Sequence, residues 1–253
     1  MVDRLKNKTA LVTGATSNIG RAIALAFARE GAHVVVGGRD AERANAVVSA
    51  IRESGGKANV ALGDQDGGQA AAQSLAEEAT RLLGGRVDIL VNNAGIYPFH
   101  TTATSDEAMF DRIFAVNVRA PFFLTQALAP GMAARGGGVI INLGSWITRL
   151  GIPVVPIYSA SKSAIETLTR TWSAELVPSG VRVNAISPGV VHEPMAEPHP
   201  GDVMMKGTPS NHAGSPEAIA HAAVYLASDE ASFVHATVLD VDGGRLGAAV
   251  VAG

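Results

Sequence analysis

The chain has 253 residues, 47% hydrophobic and 17% charged, with 28 glycines, which is ample material for a buried core and unlike a disordered chain. A formal net charge of -3 offers no basic face to a phosphate backbone, so nucleic acid is not an expected partner. With no cysteine, disulfides, thiolate nucleophiles and cysteine-held zinc or iron-sulfur centres are excluded.

The N-terminal MVDRLKNK lacks an apolar leader core, and no apolar run approaches the ~18 residues of a membrane span, so a cytoplasmic protein without a membrane partner is expected. The first β-branched run, KTALVT (8–13), leads through TGATSNIG (13–20) into an alanine-rich helix over 19–31. HVVVGG (33–38) follows, then a helix over 41–56, a third strand ahead of Asp64, and a helix over 68–85. VDILVNN (87–93), GVIINLGS (138–145), VRVNAIS (181–187) and TVLDVD (237–242) complete the short apolar runs, each patterned as a strand buried on both faces. Glycines close the helices as C-terminal caps. Alternating strand and helix, with no repeat or linker, predicts one α/β domain over 1–253: a doubly wound parallel sheet covered on both faces. The segment 192–214, rich in proline, histidine and methionine, breaks the rhythm and reads as a lid over a substrate.

Three places carry chemistry. The turn TGATSNIG joins a strand to a helix N-terminus, where free N–H groups and the helix dipole favour a pyrophosphate. Gly14 permits the turn, Gly20 the close approach of helix and sheet, and Asn18 tolerates the left-handed backbone. The second strand ends in Gly37, Gly38 and Arg39, without the carboxylate that grips the ribose hydroxyls of NAD; an arginine there can pair with a 2'-phosphate. NADP(H) is therefore the expected cofactor and NAD(H) the lesser one; Asp64, after the third strand, either accepts from the adenine amino group or begins a turn, with Gln65 beside it. Finally, Tyr158 and Lys162 stand four apart on one helix face, so an ammonium can favour the phenolate and lower a phenol pKa of about 10.

TGATSNIG, NNAG (92–95), Asn117 in AVNV, Ser145 in NLGSW, YSASK (158–162) and SPG (187–189) occur in this order, and the chain resembles the short-chain dehydrogenase/reductase family over nearly its full length. The resemblance implies a Rossmann-like oxidoreductase moving a hydride between NADP(H) and a carbonyl or secondary alcohol. It implies Tyr158 as acid/base, Ser145 polarising the carbonyl, Lys162 holding the nicotinamide ribose and lowering the Tyr158 pKa, and Asn117 completing a water relay to Lys162. Cofactor contacts would come from Gly14, Thr16, Ser17, Asn18, Ile19, Gly20, Asn93, Ala94, Gly95, Pro188, Gly189 and Val190, besides Arg39, Asp64, Gln65, Tyr158 and Lys162. A homo-oligomer, dimer or tetramer, built on helices near 106–131 and 157–178 is also implied.

Asn18, Glu193 and His235-Ala236 depart from the family pattern, which places glycine, threonine and Thr-Gly there. Glu193 is open to three roles: partner of the carboxamide, substrate contact or solvent-facing residue. His192, His199, His212 and His235 have no compact ligand spacing, so no metal is expected. Tyr97, Pro98, Phe99, Ile147, Leu150, Val154 and Val155 are candidates for the pocket wall. A 3-oxoacyl thioester reductase is one alternative reading; a non-catalytic NADP(H)-binding regulator is another.

Overall fold

The computed structural model describes residues 3–64, 66, 68–195, 197 and 199–249. Seven strands among them form one sheet: β1 (Thr9–Val12), β2 (His33–Gly38), β3 (Lys57–Leu62), β4 (Ile89–Asn92), β5 (Gly138–Leu143), β6 (Val181–Pro188) and β7 (Val238–Val241). All neighbours are parallel, in the order β3-β2-β1-β4-β5-β6-β7. The chain winds outward from β1 to β3, then returns to lay β4 on the other side of β1. This is the doubly wound sheet that the alternation predicts. β3 is not among the apolar runs read from sequence, because KANVAL holds a single β-branched residue and pairs only with β2 at the sheet edge.

Helices α1 (Asn18–Arg29), α2 (Ala41–Glu53) and α7 (Pro216–Ala227) cover one face, and α3 (Gly68–Leu82), α5 (Ala120–Ala134) and α6 (Pro156–Leu176) the other. The strands alternate accordingly: Val12, Val34, Val91 and Ile141 pack against Phe27, Val48 and Ile219, while Leu11, Val35, Leu90 and Ile140 pack against Leu75, Leu124 and Trp172. Burial on both faces explains why these strands read as continuous apolar runs. The long helix expected near 106–131 comprises α4 (Glu107–Phe114), a π-helical turn Ala115–Arg119, and α5. Among the described residues no helix is long and apolar enough to cross a membrane.

Ala236, in the His-Ala pair that departs from the family pattern, sits at φ 57° with its N–H pinned to Val183 O at 3.1 Å. A Cβ in that left-handed region costs about 1–2 kcal/mol that glycine avoids. Ala236→Gly should therefore raise the melting temperature, by about 2–4 °C for each kcal/mol recovered in a chain of this size. A lowered midpoint in scanning calorimetry would refute this account of the strain.

Candidate active site

The point where the winding reverses, between the C-terminal ends of β1 and β4, is the usual ligand position in open α/β sheets. The two motifs bordering it are fastened together. Thr13 Oγ1 accepts from Asn93 N and Ala94 N, both at 3.0 Å, and Asn93 Nδ2 donates to Thr13 O (2.8 Å) and Gly14 O (3.1 Å). Gly14 adopts φ 61°, and a Cβ there would stand 2.8 Å from Ala94 Cα. A Cβ on Gly20 would meet Gly14 O and Asn93 Nδ2, so helix, turn and NNAG close up only around glycine. Asn18 takes the left-handed backbone at φ 44°, as its residue type suggests.

At the start of α1, Ser17 makes no side-chain cap, and the first turn has no acidic residue; α2 and α4, by contrast, are capped by Asp40 and Asp106. Ser17 is exposed, and Thr16 and Ile19 are partly so. Thr16 Cγ2 lies against Gly38, which places Arg39, exposed at the end of β2, beside the turn. Asp64 lies near enough to Arg39 to feel its charge. The hydrogen bond from Asp66 is the larger cause holding the Asp64 carboxyl below its usual range, and Asp66 is pushed up in return. Gln65 lies outside the described residues.

Ser145 lies just beyond β5 and Tyr158 in the first turn of α6; Lys162 follows one turn later. Lys162 is buried, its Nζ donating to Leu143 O at 2.8 Å and standing 5.8 Å from the centre of the Tyr158 ring. Burial drops its pKa to about 8, against an opposing pull from Glu166. Tyr158 departs from the sequence expectation: its phenol is pushed up to about 12, not lowered. Loss of hydration on burial disfavours the phenolate more than the Ser145 hydroxyl favours it, and Tyr97 adds to the rise. The lysine charge that was expected to reverse this is itself desolvated and aimed at a carbonyl.

Asn117 sits in the π turn, a deformation common at functional sites. Its amide is engaged: Oδ1 accepts from Ile96 N at 2.9 Å, and Nδ2 donates to Ile96 O and Ser161 Oγ, both at 3.0 Å. Its side chain thus fastens the loop following NNAG to α6. Sequence reasoning passed over Glu166, a buried carboxylate that accepts from Ser145 N (3.4 Å) and Thr148 Oγ1 (3.1 Å). It stands four residues beyond Lys162, and that spacing was the available signal. His100 was missed as well, and no local pattern marks it.

Pro188 ends β6; Gly189 follows, its N–H bonded to Val241 O at 3.0 Å, and Val190 O accepts from Gly214 N at 2.9 Å. The latter bond and the bridge Val191–Gly214 close the neck of the 192–214 excursion. Glu193 lies mostly in solvent, 3.5 Å from Arg21 of α1, in a loose ion pair. His192, His199 and Asp202, unremarkable by spacing, gather with ligand-type atoms within 4.8 Å of one another. Several of their atoms are already used: His192 Nε2 faces Asp202 Oδ1 at 2.8 Å, its Nδ1 faces Glu193 O at 2.9 Å, and His199 Nδ1 accepts from Gly201 N at 3.0 Å. The Asp202 hydrogen bond raises the His192 pKa. Of the proposed wall, Ile147 is buried, whereas Tyr97 and Phe99 are exposed, with the Tyr97 ring 5.9 Å from that of Tyr158.

Residues 14–245 match the sequence model of a family described as enoyl-(acyl carrier protein) reductase. A 3-oxoacyl-[acyl-carrier-protein] reductase of Thermotoga maritima is 35% identical over 249 residues, covering 95% of this chain and 98% of its own. The crystal structure of a putative short-chain alcohol dehydrogenase from Sinorhizobium meliloti superposes with a TM-score of 0.92 at 35% identity, covering 98% of this chain and all of the other. A gluconate 5-dehydrogenase from Burkholderia cenocepacia, solved with NADP and tartrate, superposes at 0.90 with 31% identity and 98% coverage of both chains. With these matches running the length of the sheet, the chain belongs to the short-chain dehydrogenase/reductase family of oxidoreductases.

Proposed function

We propose that the protein is an NADP(H)-dependent carbonyl reductase or secondary-alcohol dehydrogenase in which Tyr158 moves the proton. The observation that carries this reading is the grouping of Ser145, Tyr158 and Lys162 at the C-terminal end of β5, next to the reversal point onto which α1 opens uncapped. That point suits a dinucleotide. The α1 N-terminus offers unpaired N–H groups to a pyrophosphate. Gly95 lacks a Cβ that would stand 3.4 Å from both Lys162 Nζ and Asn117 Oδ1, so a ribose can approach the ammonium.

The nicotinamide supplies or receives the hydride when bound. Ser145 Oγ holds and polarises the substrate oxygen, and the Tyr158 hydroxyl gives that oxygen its proton as charge develops there. At neutral pH the phenol starts protonated, the form required for reduction. Lys162 would hold the nicotinamide ribose, Asn117 would link Lys162 to water, and Pro188, Gly189 and Val190 would meet the carboxamide. Asn93, Ala94 and Gly95 would support the adenosine side, and Asp64 would meet the adenine.

Arg39 takes the 2'-phosphate, a reading supported by the NADP-bound relative and by the absence of a carboxylate at the end of β2. A charge-assisted contact is worth about 1.5–3 kcal/mol, so Arg39→Ala should weaken NADPH about 10- to 100-fold in calorimetry and leave NADH nearly unchanged. Equal losses for the two would remove the assignment. The alternative reading, a 3-oxoacyl thioester reductase, is favoured by the Thermotoga maritima relative. Nicotinamide absorbance assays with a panel of 3-oxoacyl thioesters, ketones and polyols separate the two. Tight NADPH binding with no turnover across that panel would instead indicate a regulator. The same reading makes the chain a homo-oligomer joined through α4, α5 and α6, where Phe110 and Phe122 are exposed; light scattering tests it.

A further inference from the structure

Helix α6 begins in an unusual way. Its N-cap residue, Val155, lies in the left-handed region at φ 51°, a conformation β-branched residues avoid, and it offers no side-chain cap. Pro156 follows at the first helical position and has no N–H to satisfy. The next donor, Ile157 N, is the one immediately before Tyr158, and it is bonded to His100 Nε2 at 3.1 Å. His100 arrives from the segment that follows NNAG, is 1% exposed, and fastens the same corner twice more. Its carbonyl accepts from Val155 N at 2.7 Å, and its Nδ1 meets Pro98 O at 2.7 Å.

These partners define the tautomer. Pro98 O can only accept, so Nδ1 carries the hydrogen; Ile157 N–H can only donate, so Nε2 keeps its lone pair. A neutral imidazole from a distant loop therefore does what a serine or aspartate N-cap does elsewhere. It does so under the residue before Tyr158, in a loop whose Tyr97 ring stands 5.9 Å from the Tyr158 ring.

We propose that His100 is a positioning residue for the reaction, holding the first turn of α6 in its strained entry so that the Tyr158 hydroxyl stays aligned with Ser145. His100 touches neither substrate nor cofactor and acts only through Tyr158. The inference rests on the function proposed above.

Two amides separate its bonds. In His100→Gln the side-chain oxygen reaches the place of Nε2 and can still accept from Ile157 N–H. In His100→Asn the amide reaches only the place of Nδ1, keeping the bond to Pro98 O and losing the cap. The expected result is a kcat about tenfold or more below native for His100→Asn, equivalent to about 1.4 kcal/mol of barrier, with the KM for NADPH within about twofold. His100→Gln should stay within about threefold of native, and His100→Leu should behave like His100→Asn. In a Tyr158→Phe background His100→Asn should cost almost nothing further, because its route to the chemistry is already gone.

Equal kcat for the Asn and Gln variants, or a full additional loss in the Tyr158→Phe background, overturns the proposal. If Tyr158→Phe itself retains native activity, the proposed function fails; if Tyr158→Phe is inactive and His100→Asn is native, only the role of His100 fails. Should His100→Leu not fold, the Asn and Gln pair carries the comparison alone.

Discussion

Tyr158→Phe is expected to lower kcat by about 10²- to 10⁴-fold, the usual contribution of a positioned acid or base, with little change in NADPH affinity. The ring keeps its packing against Tyr97, and only the hydroxyl proposed to carry the proton is removed. Single-turnover kinetics with calorimetric binding check this; a variant that turns over at the native rate would sink the assignment of Tyr158. The raised phenol adds a dependence on direction. At a pKa of about 12 the proton is in place for reduction, whereas oxidation needs the phenolate, so the oxidative rate should climb with pH further into the alkaline range than the reductive rate. Superimposable profiles in the two directions would contradict it.

Lys162→Met should abolish most activity and nevertheless stabilise the protein at neutral pH. The folded pKa of about 8 lies below the ordinary 10.5, so between those values the unfolded chain holds a proton that the folded chain does not. Native stability therefore rises with pH from about 8 to 10.5, and below pH 8 the buried ammonium carries its full cost. A displacement of that size corresponds to about 3 kcal/mol, already net of the attraction of Glu166. Losing the donor to Leu143 O returns about 1–3 kcal/mol. The balance is a gain of about 1 kcal/mol, or about 2–4 °C in melting temperature at pH 7. That gain should vanish above pH 10.5, where the native lysine has lost its proton in both states. A lower midpoint than native at pH 7 would mean that the bond to Leu143 O outweighs the buried charge.

The sheet was legible because its strands are buried on both faces, which leaves a local apolar signature; β3, at the edge and poor in β-branched residues, showed only as a strand expected ahead of Asp64, without an apolar run. The glycine turn was legible for a similar reason. Gly14 and Gly20 answer backbone contacts that no other residue satisfies, and Asn18 shows its left-handed turn in its own chemistry. Glu166 could have been found, since it shares a helix face with Lys162 at a spacing that the chain displays. His100 could not: the Ile157 amide that it caps lies 57 residues away, and no local sequence pattern marks that contact.

By itself the sequence determined the doubly wound sheet and the order and spacing of Ser145, Tyr158 and Lys162, because periodicity and helix geometry are local properties. Only the tertiary structure decided the electrostatics of that group. Whether Lys162 lowers the Tyr158 pKa or burial raises it depends on how many protein atoms replace water around each, and here burial prevails. Tertiary structure likewise made Glu193 a solvent-facing partner of Arg21, gathered His192, His199 and Asp202 at the neck of the excursion, and set His100 under the helix that carries Tyr158. Contacts across the fold depend on how the elements pack, and residue spacing along the chain does not encode that.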